Sequence, residues 1–219
     1  PNACGPLGYA HADAMLADRT VVITDNLVDY PCWPISITHE WVDFVVPVKS
    51  IGDHSKIVSG TTKVTTDPMQ LDIARGAVDL MEAAGLIRDG VGFQAGAGGI
   101  SLAYMDMLRK RMEKGGIRGK FCLAGGTEPS VKMLRKGTIE VLLEGQAFDL
   151  IAVESMISDP AHIEVTPGFY ANIHGKGCAV NMLDTVVLGA TEVDVDFNAN
   201  VVTHSDGRQL HGIGGHQDT

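Results

Sequence analysis

A glycine-rich segment in the middle of the chain, GFQAGAGGISLA, holds the backbone best suited to approach a ligand. Glycine permits positive φ and carries no Cβ, and the free N–H groups of a helix that begins after such a turn attract anions. A dinucleotide fingerprint would need glycine or alanine at Ser101, and a phosphate loop would need Gly-Lys-Ser/Thr, so a tight turn without a ligand is an equally good interpretation. The candidate binding residues are Gly96, Ala97, Gly98 and Gly99.

A second candidate lies near the end of the chain, in LGATEVDVDFNAN and the following GIGGHQD. Acidic and amide residues alternate there, so they are expected to share one face of a strand, which is either a solvated edge or part of a site. Gly214 and Gly215 could present two backbone N–H groups to a developing oxyanion, as acyl transfer requires. The candidate side chains on the strand face are Glu192, Asp194, Asp196, Asn198 and Asn200.

Other reactive side chains form weaker patterns. His204, His211 and His216 lie close in sequence, but their spacing matches no structural zinc pattern, so we expect no metal site. The Gly-x-Ser-x-Gly elbow of serine hydrolases is missing. Cys178 could be a nucleophile, although packing in the interior is the more ordinary role of a cysteine.

The composition of the 219 residues narrows the class of protein. A content of 45% hydrophobic but only 5% aromatic residues is typical of layered α/β proteins. The formal net charge of -10 argues against nucleic-acid binding, although residues 109–120 form a basic run that is either a solvated helix end or a docking patch for an acidic partner. No apolar run approaches the roughly 18 residues of a membrane span. The four cysteines form no Cys-x-x-Cys pair, which is typical of a cytoplasmic protein.

Patterns along the chain predict the elements that position these residues. Strands alternate with helices from residue 91 onward, which predicts an α/β fold with a layered, mostly parallel sheet flanked by helices. Residues 49–66 interrupt the alternation and are predicted to be a linker, with a helix capped by Asp67 after it. The predicted strands cover residues 20–24, 41–48, 91–95, 118–123, 148–153 and 184–193, the predicted helices 99–114 and 129–136, and a short amphipathic piece 139–143.

Several segments together carry a resemblance to a known family. They are CGPLGYAHADAMLADRTVVITDNLVDYP, GFQAGAGGISLA, AGGTEPSVKMLRKG, AFDLIAVES, YANIHGKGCAVNMLDTVVLGATEVDVDFNANV and GIGGHQD, in that order. Over essentially its whole length the sequence resembles the citrate lyase alpha chains, the citrate CoA-transferase subunits. Those chains are longer at both ends, so we expect a fragment with a CoA-transferase-like fold. Residues 1–62 would be the C-terminal part of a first CoA-transferase-like domain plus a linker, and residues 63–219 most of a second.

The resemblance implies an acyl transferase that exchanges acetate for citrate on the thioester of an acyl carrier protein or of CoA. It implies no covalently bound cofactor, since acyl-CoA or the CoA-like prosthetic group of the carrier is the substrate. The implied partners are the acyl carrier (gamma) and lyase (beta) subunits, citrate, acetate and further copies of the chain, without nucleic acid or membrane. The family is thought to work through direct attack of the substrate carboxylate on the thioester, whereas many other CoA-transferases use a covalent glutamate.

The resemblance also sorts the candidate residues by role. Glu128, in GGTEP, lies near the region where a glutamate nucleophile would be found, but an ordinary acid in the first turn of a helix explains it equally well. The catalytic candidates are Gly214, Gly215, Glu192 and Glu128. The candidates for binding the thioester or the substrate are Gly96, Ala97, Gly98, Gly99, Asn198 and Asn200.

Three other functions stay open from the sequence. Another CoA-transferase or an acyl-CoA hydrolase of the same superfamily would act on a different acid, such as citramalate. A sugar-phosphate isomerase with the same layered fold would need a carboxylate base and a phosphate-binding cluster beside the glycine loop, where only Ser101 stands. A non-catalytic sugar-phosphate-sensing module would be joined to a DNA-binding domain.

Overall fold

A computed structural model of the chain describes residues 2–53, 63–210 and 216. It confirms the predicted α/β architecture of a parallel sheet flanked by helices. None of the helices in these residues is long and apolar enough to span a membrane. In chain order the elements are α1 (Ala10–Leu16), β1 (Val21–Thr24), β2 (Phe44–Pro47), α2 (Pro68–Ala83), β3 (Gly92–Ala95), α3 (Gly99–Gly115), β4 (Gly119–Gly126), α4 (Glu128–Arg135), β5 (Ile139–Ala147), α5 (Leu150–Ser158), β6 (His162–Glu164), α6 (Pro167–Ala171), β7 (Thr185–Val187), β8 (Glu192–Val193) and β9 (Ala199–Asn200).

The central sheet has five parallel strands in the order β6-β5-β4-β3-β7. The chain moves outward from β3 to β6 one strand at a time and then returns to place β7 on the other side of β3. Right-handed crossovers put the helices of the outward path on one face and the returning segment on the opposite face. The change of direction between β3 and β7 is the place where open α/β sheets bind ligands.

The core consists of two layers that follow this topology. Phe93, Cys122 and Leu142 point to the helical face, where they pack with buried residues of α2 to α5 such as Tyr104 and Met133. On the opposite face a smaller cluster joins the sheet to the returning segment. Its buried members are Phe121, Leu123, Val165 and Ala179.

The start of α2 agrees with the sequence pattern. The Asp67 side chain accepts a hydrogen bond from the Gln70 N–H at 3.0 Å, and Pro68 occupies the first helical position. Proline suits this position because its missing N–H would have no partner inside the helix. Gly85 follows the helix with φ +69°, a conformation that glycine adopts without strain.

Three predicted elements differ in the structure. Residues 148–153 were predicted to be a strand, but α5 begins there, because the Asp149 side chain caps it by accepting from the Ala152 N–H at 2.9 Å. Residues 139–143, predicted only as an amphipathic piece, begin the longest strand, β5. Short apolar runs do not distinguish helix from strand, which is why residues 148–153 were wrongly predicted to be a strand and residues 139–143 were not recognised as one. Residues 184–193, predicted to be one strand, instead contain two short strands, β7 and β8, separated by residues 188–191.

The first part of the chain contacts the central sheet through its own amino-terminal segment. Among the described strands, β1 and β2 pair only with each other, and Val21 and Ile23 are 53% and 58% exposed. Leu7, however, forms a bridge with Gln146, and the Gly8 N–H donates to Gly145 O at 2.8 Å. The domain boundary near residue 62 stays a prediction, since residues 54–62 lie outside the described part of the chain.

The basic run at residues 109–120 is partly neutralised inside the molecule. Arg111 forms ion pairs with Asp79 and Glu82 and so joins α3 to α2. Arg109 pairs with Asp106 at 2.6 Å within α3. A docking role for the run stays a prediction and depends mainly on the three cations for which the described residues show no ion pair, Lys114, Arg118 and Lys120.

Candidate active site

A cavity of about 720 Å³ lies at the carboxyl ends of the central strands, where β3 and β7 diverge. This is the position at which open parallel sheets place their ligands. The ends of β3, β4 and β5 form its base, and α6 and the amino-terminal segment form its walls. The lining residues are Gly8, Tyr9, Ala12, Gln94, Ala95, Gly96, Ala97, Ala124, Gly125, Gly145, Gln146, Phe148, Pro167, Gly168, Tyr170, Ala171, Asn172, Leu188 and His216.

The predicted glycine loop forms one rim of this cavity. Gly96 follows β3 directly, and its N–H donates to Val187 O at 3.1 Å, which ties the loop to the end of β7. Gly96 and Ala97 line the cavity. Gly98 is the N-cap of α3 and supplies no side-chain cap, so the first N–H groups of this helix are available to an anion.

Gly99 contacts the segment that leads into α2. The Thr65 N–H donates to Gly99 O at 3.2 Å, and a Cβ on Gly99 would lie 3.1 Å from Lys63 O. A side chain at this position would therefore crowd the segment that leads into α2. Gly98 and Gly99 are not among the described lining residues, so only half of the predicted loop faces the cavity.

An irregularity between β4 and β5 opens the base of the cavity. Ala124 is opposite Glu144, but Gly125 is opposite Gln146, which leaves Gly145 as an extra residue. Such a bulge bends the strand and is common beside binding sites. A Cβ on Gly125 would overlap the Phe148 ring, so glycine is required for the ring to pack there.

The cavity is nearly free of charged side chains. Among its described lining residues there is no Lys, Arg, Asp or Glu. Gln94, Gln146 and Asn172 supply polar side chains. The described lining therefore offers an anionic ligand backbone and side-chain amide groups rather than cations.

Gln94 is a lining residue that the sequence analysis missed. Its Nε2 donates to Tyr170 Oη at 2.8 Å, while its Oε1 is buried and has no hydrogen-bond partner among the described residues. A buried acceptor without a donor costs about 1–3 kcal/mol. The available signal was a polar residue inside the otherwise apolar strand of GFQAG, whose residues are all buried.

A second group missed from the sequence lies outside the described cavity lining, between β5, β6 and α5. Glu144 is fully buried, and its Oε2 lies 2.7 Å from His162 Nε2. His162 Nδ1 lies 2.9 Å from Ser155 Oγ, and the Ser155 hydroxyl donates to Asp159 at 2.7 Å. A chain of polar groups therefore runs from Glu144 toward Asp159, which also accepts from Arg135.

The predicted carboxylate row does not form one strand face. β8 ends at Val193, and Asp194 begins a turn in which its side chain accepts from the Asp196 N–H and from the Asn198 N–H, both at 2.9 Å. This Asx turn replaces the continued strand because a carboxylate readily binds N–H groups a few residues ahead. The prediction of a shared face for residues 192–200 was wrong.

Glu192 and Asn200 nevertheless meet, because they are opposite each other in the β8–β9 pair. Asn200 Nδ2 donates to Glu192 Oε2 at 3.1 Å and to Thr203 O at 2.7 Å. Hydrogen bonds from the Ser205 hydroxyl, and next from Asn200, lower the pKa of Glu192. Neither residue is among the described lining of the cavity.

The remaining catalytic candidates have separate positions. Glu128 lies in the first turn of α4, where its carboxylate pairs with Lys132 at 2.7 Å on the exposed surface, away from the described cavity lining. Gly214 and Gly215 lie outside the described residues. His216, the next residue, lines the cavity, and its Nε2 lies 2.6 Å from Gly189 O.

The surroundings of Cys178 and of the candidate metal ligands do not indicate a reactive site among the described residues. Cys178 is buried, and its thiol donates to Tyr170 O at 3.3 Å, which is consistent with packing. Within residues 2–53, 63–210 and 216, no three His, Cys, Asp or Glu side chains group as a metal ion would require. His211 is outside the described residues.

Comparison with known proteins gives a consistent result across the whole sequence. The family model "Citrate lyase, alpha subunit (CitF)" matches residues 1–219. The citrate lyase alpha chain of Haemophilus influenzae is 44% identical over 218 residues, a match that covers 100% of this chain and 44% of that one. The corresponding chain of Escherichia coli is 44% identical over 216 residues, covering 99% and 42%. The present chain thus spans less than half the length of these relatives.

Solved structures agree with this result. The crystal structure of a citrate lyase alpha subunit from Streptococcus mutans, in complex with citrate, matches with a TM-score of 0.90 and 41% identity, covering 99% of this chain and 42% of that one. A variant of RipA matches with a TM-score of 0.55 at 16% identity, covering 92% and 44%. This second likeness concerns the fold alone.

Proposed function

Since the chain belongs to the citrate lyase alpha subunit family, we propose that the full-length protein exchanges acetate for citrate on an acyl carrier protein thioester, or on acyl-CoA. The products are a citryl thioester and free acetate. The chain spans less than half the length of its relatives, so the activity is that of the full-length subunit. The citrate bound to the Streptococcus mutans protein supports citrate as the acid.

The observation that carries the proposal is the nearly uncharged cavity bordered by the glycine loop. In the first step a citrate carboxylate oxygen attacks the acetyl carbonyl, and the thiolate leaves to give a mixed anhydride. In the second step the thiolate attacks the citryl carbonyl, and acetate leaves. Neither step transfers a proton, so the site needs N–H donors for each oxyanion rather than a general base.

The described residues match this requirement. Ala97 lines the cavity, and the amino end of α3 that follows it has no side-chain cap, so its backbone N–H groups are on offer. The described lining contains no carboxylate that would repel the substrate. The volume of about 720 Å³ is within the usual range of small-molecule sites. Together these features favour two anionic reactants meeting in one site, which acyl exchange demands.

The route without a covalent glutamate is part of the proposal. Glu128 is paired with Lys132 at the exposed surface, which supports direct attack by the substrate. No covalently bound cofactor takes part, and the CoA-like arm of the carrier enters as substrate. The partners in this reaction are the acyl carrier and lyase subunits, and the subunit itself assembles as a homo-oligomer. We also propose a cytoplasmic location, because the four cysteines are free thiols.

The test uses the full-length subunit with acetyl-CoA and a panel of di- and tricarboxylates. Citrate is expected to yield citryl-CoA and acetate in equal amounts, and citramalate serves as the matched acid that would reveal a different specificity. Acetate released without a new thioester would indicate an acyl-CoA hydrolase instead. Acetyl-CoA left unchanged with every acid would contradict the proposal.

Oxygen labelling separates the two routes. With citrate carrying ¹⁸O in its carboxylates, direct attack leaves one labelled oxygen in the acetate released in a single turnover. A covalent glutamate would instead give that acetate an unlabelled enzyme oxygen. Unlabelled acetate in the first turnover would therefore overturn the direct route while leaving the overall exchange intact.

A further inference from the structure

Gln94 projects from the middle of β3 into the wall of the cavity, and only 5% of the residue is exposed. Its Nε2 donates to Tyr170 Oη at 2.8 Å. Its Oε1 is buried and finds no hydrogen-bond partner among the described residues. Buried acceptors normally have a donor, but no described protein group donates a hydrogen bond to this oxygen.

The two ends of a carboxamide have nearly the same shape. If the Gln94 carboxamide turns by 180°, its Oε1 accepts from the Tyr170 hydroxyl and its NH₂ group takes the place of the unpartnered oxygen. A phenol hydroxyl can donate as well as accept, so the Tyr170 hydroxyl is chemically able to bond either end of the carboxamide. The end of the carboxamide that points away from Tyr170 can therefore be either the oxygen or the NH₂ group.

An anionic oxygen fits the turned orientation. The chain has a formal net charge of -10, and no described lining residue is Lys or Arg, so the described lining offers an anion mainly neutral N–H groups. An amide N–H that is shielded from water binds a carboxylate more strongly than an exposed one. Gln146 also lines the cavity but is exposed to solvent, so it lacks this advantage.

We propose that Gln94 is a specificity-determining residue that donates an amide N–H to a carboxylate oxygen of the acid substrate, while Tyr170 holds the other end of the carboxamide. The inference rests on the proposed function, which supplies the acid. Gln94 binds and selects the acid; it forms no covalent bond and transfers no proton.

The experiment compares Gln94→Glu and Gln94→Leu with the unchanged full-length subunit. Gln94→Glu keeps the size and an acceptor for Tyr170 but places a negative charge against the carboxylate, and Gln94→Leu removes the donor. Gln70→Glu, on the exposed side of α2 and outside the described lining, is the matched control for the change of charge. The readouts are the citrate Kd by calorimetry, the separate KM values for citrate and acetyl-CoA, and the melting temperature with and without citrate.

Removal of a hydrogen bond to a charged group is expected to raise the citrate Kd and the citrate KM about 10- to 100-fold in Gln94→Leu, and further in Gln94→Glu. The KM for acetyl-CoA should stay within about twofold, since the acetyl group carries no charge. Tyr170→Phe should weaken citrate binding less, because it frees the amide without removing it. Gln70→Glu should behave like the unchanged protein.

Each alternative result has a distinct meaning. Equal citrate Kd values in all variants, or an equal rise in both KM values, would overturn the role of Gln94. If Gln94→Glu has a much lower melting temperature than the unchanged protein, Gln94→Leu is used to test the role of Gln94. The measurement is the rise in its melting temperature on adding citrate, because this rise reports affinity independently of the starting stability. A subunit that binds citrate through Gln94 but exchanges no acyl group would refute the proposed function and leave the binding role standing.

Discussion

Gly126 shows how closely single residues are packed between β4 and β5. A Cβ on Gly126 would overlap the buried carboxylate of Glu144. We expect Gly126→Ala to lower the free energy of unfolding by about 1–3 kcal/mol, since a rigid strand and a buried side chain both resist displacement. Urea denaturation measures the change, and an unchanged midpoint would show that Glu144 can move aside.

Gly98, unlike Gly126, has room for a side chain. An added Cβ there would meet nothing within 4 Å, and the φ of -71° suits any residue. Gly98→Ser should leave the free energy of unfolding within about 0.5 kcal/mol, because serine is a favoured N-cap. Its hydroxyl would, however, occupy N–H groups of α3 that we assign to substrate oxygens, so the acyl-exchange rate should fall at least tenfold. A variant that is both stable and fully active would remove the α3 terminus from the site.

Asp159 ties α5 to α4 and gives the protein a pH-dependent stability. The Ser155 hydroxyl, followed by Arg135, lowers the pKa of Asp159 below its usual value of 3.8. The folded state therefore favours the ionised carboxylate, and its contribution is present above the unfolded pKa and lost as the pH falls through the lower, folded one. Because the pair is partly exposed, this contribution is about 1 kcal/mol.

The test replaces the carboxylate by an amide. Asp159→Asn should lower the free energy of unfolding at pH 7. Below pH 3.8, the free energy of unfolding of the variant should fall less with acid than that of the unchanged protein. Denaturation curves from pH 7 to pH 3 give both quantities. A variant whose stability falls as steeply with acid as the original would show that other carboxylates dominate.

At the scale of elements, Glu144 and His162 join β5 to β6 through a buried contact. Both side chains are fully shielded from solvent. We expect His162→Leu to lower the free energy of unfolding by about 3–5 kcal/mol, because it leaves a buried carboxylate without its partner. Glu144→Gln in the same protein should restore part of the loss, since a neutral amide tolerates burial better.

A double-mutant cycle of these changes measures the coupling. If the losses of the two single variants add up to the loss of the double variant, the coupling free energy is zero. The contact between Glu144 and His162 then contributes nothing of its own to stability. His39→Leu, at an exposed position, is the control for the chemical change itself.

The sequence predicted some elements well for reasons that are local. The glycine loop stands between a strand pattern and a helical pattern, and each pattern can be recognised within a few residues. The cap at Asp67 is equally local. By contrast, the contact between Glu144 and His162 depends on β5 and β6 lying side by side, and β5 was not recognised as a strand. The Asx turn at Asp194 was missed because alternation alone does not show where a strand ends.

At the scale of the whole molecule, the cavity depends on a segment that is remote in sequence. Gly8 lines the cavity, donates its N–H to Gly145 O and has φ +56°, a left-handed conformation that favours glycine. Gly8→Val should strain this segment by about 1–3 kcal/mol, increase hydrogen exchange around residues 7–16 and weaken citrate binding. Exchange measured by mass spectrometry on the full-length subunit tests this.

Gly52→Val provides the comparison, since an added Cβ there would meet nothing within 4 Å and the φ lies outside the left-handed region. It should leave both exchange and citrate binding unchanged. Unchanged exchange in Gly8→Val as well would mean that the amino-terminal segment is held by contacts other than the bridge between Leu7 and Gln146.

The bridge between Leu7 and Gln146 also imposes an order on biosynthesis. Leu7 leaves the ribosome about 140 residues before its partner, and at about 5–20 residues per second this delay is on the order of 10 s. During that time the nascent segment has no strand end to pair with. Contacts between neighbouring strands from β3 to β6 need much shorter loops, so they can form first. The cavity is then completed late, when the segment around Leu7 reaches β5, which is made about 140 residues after it.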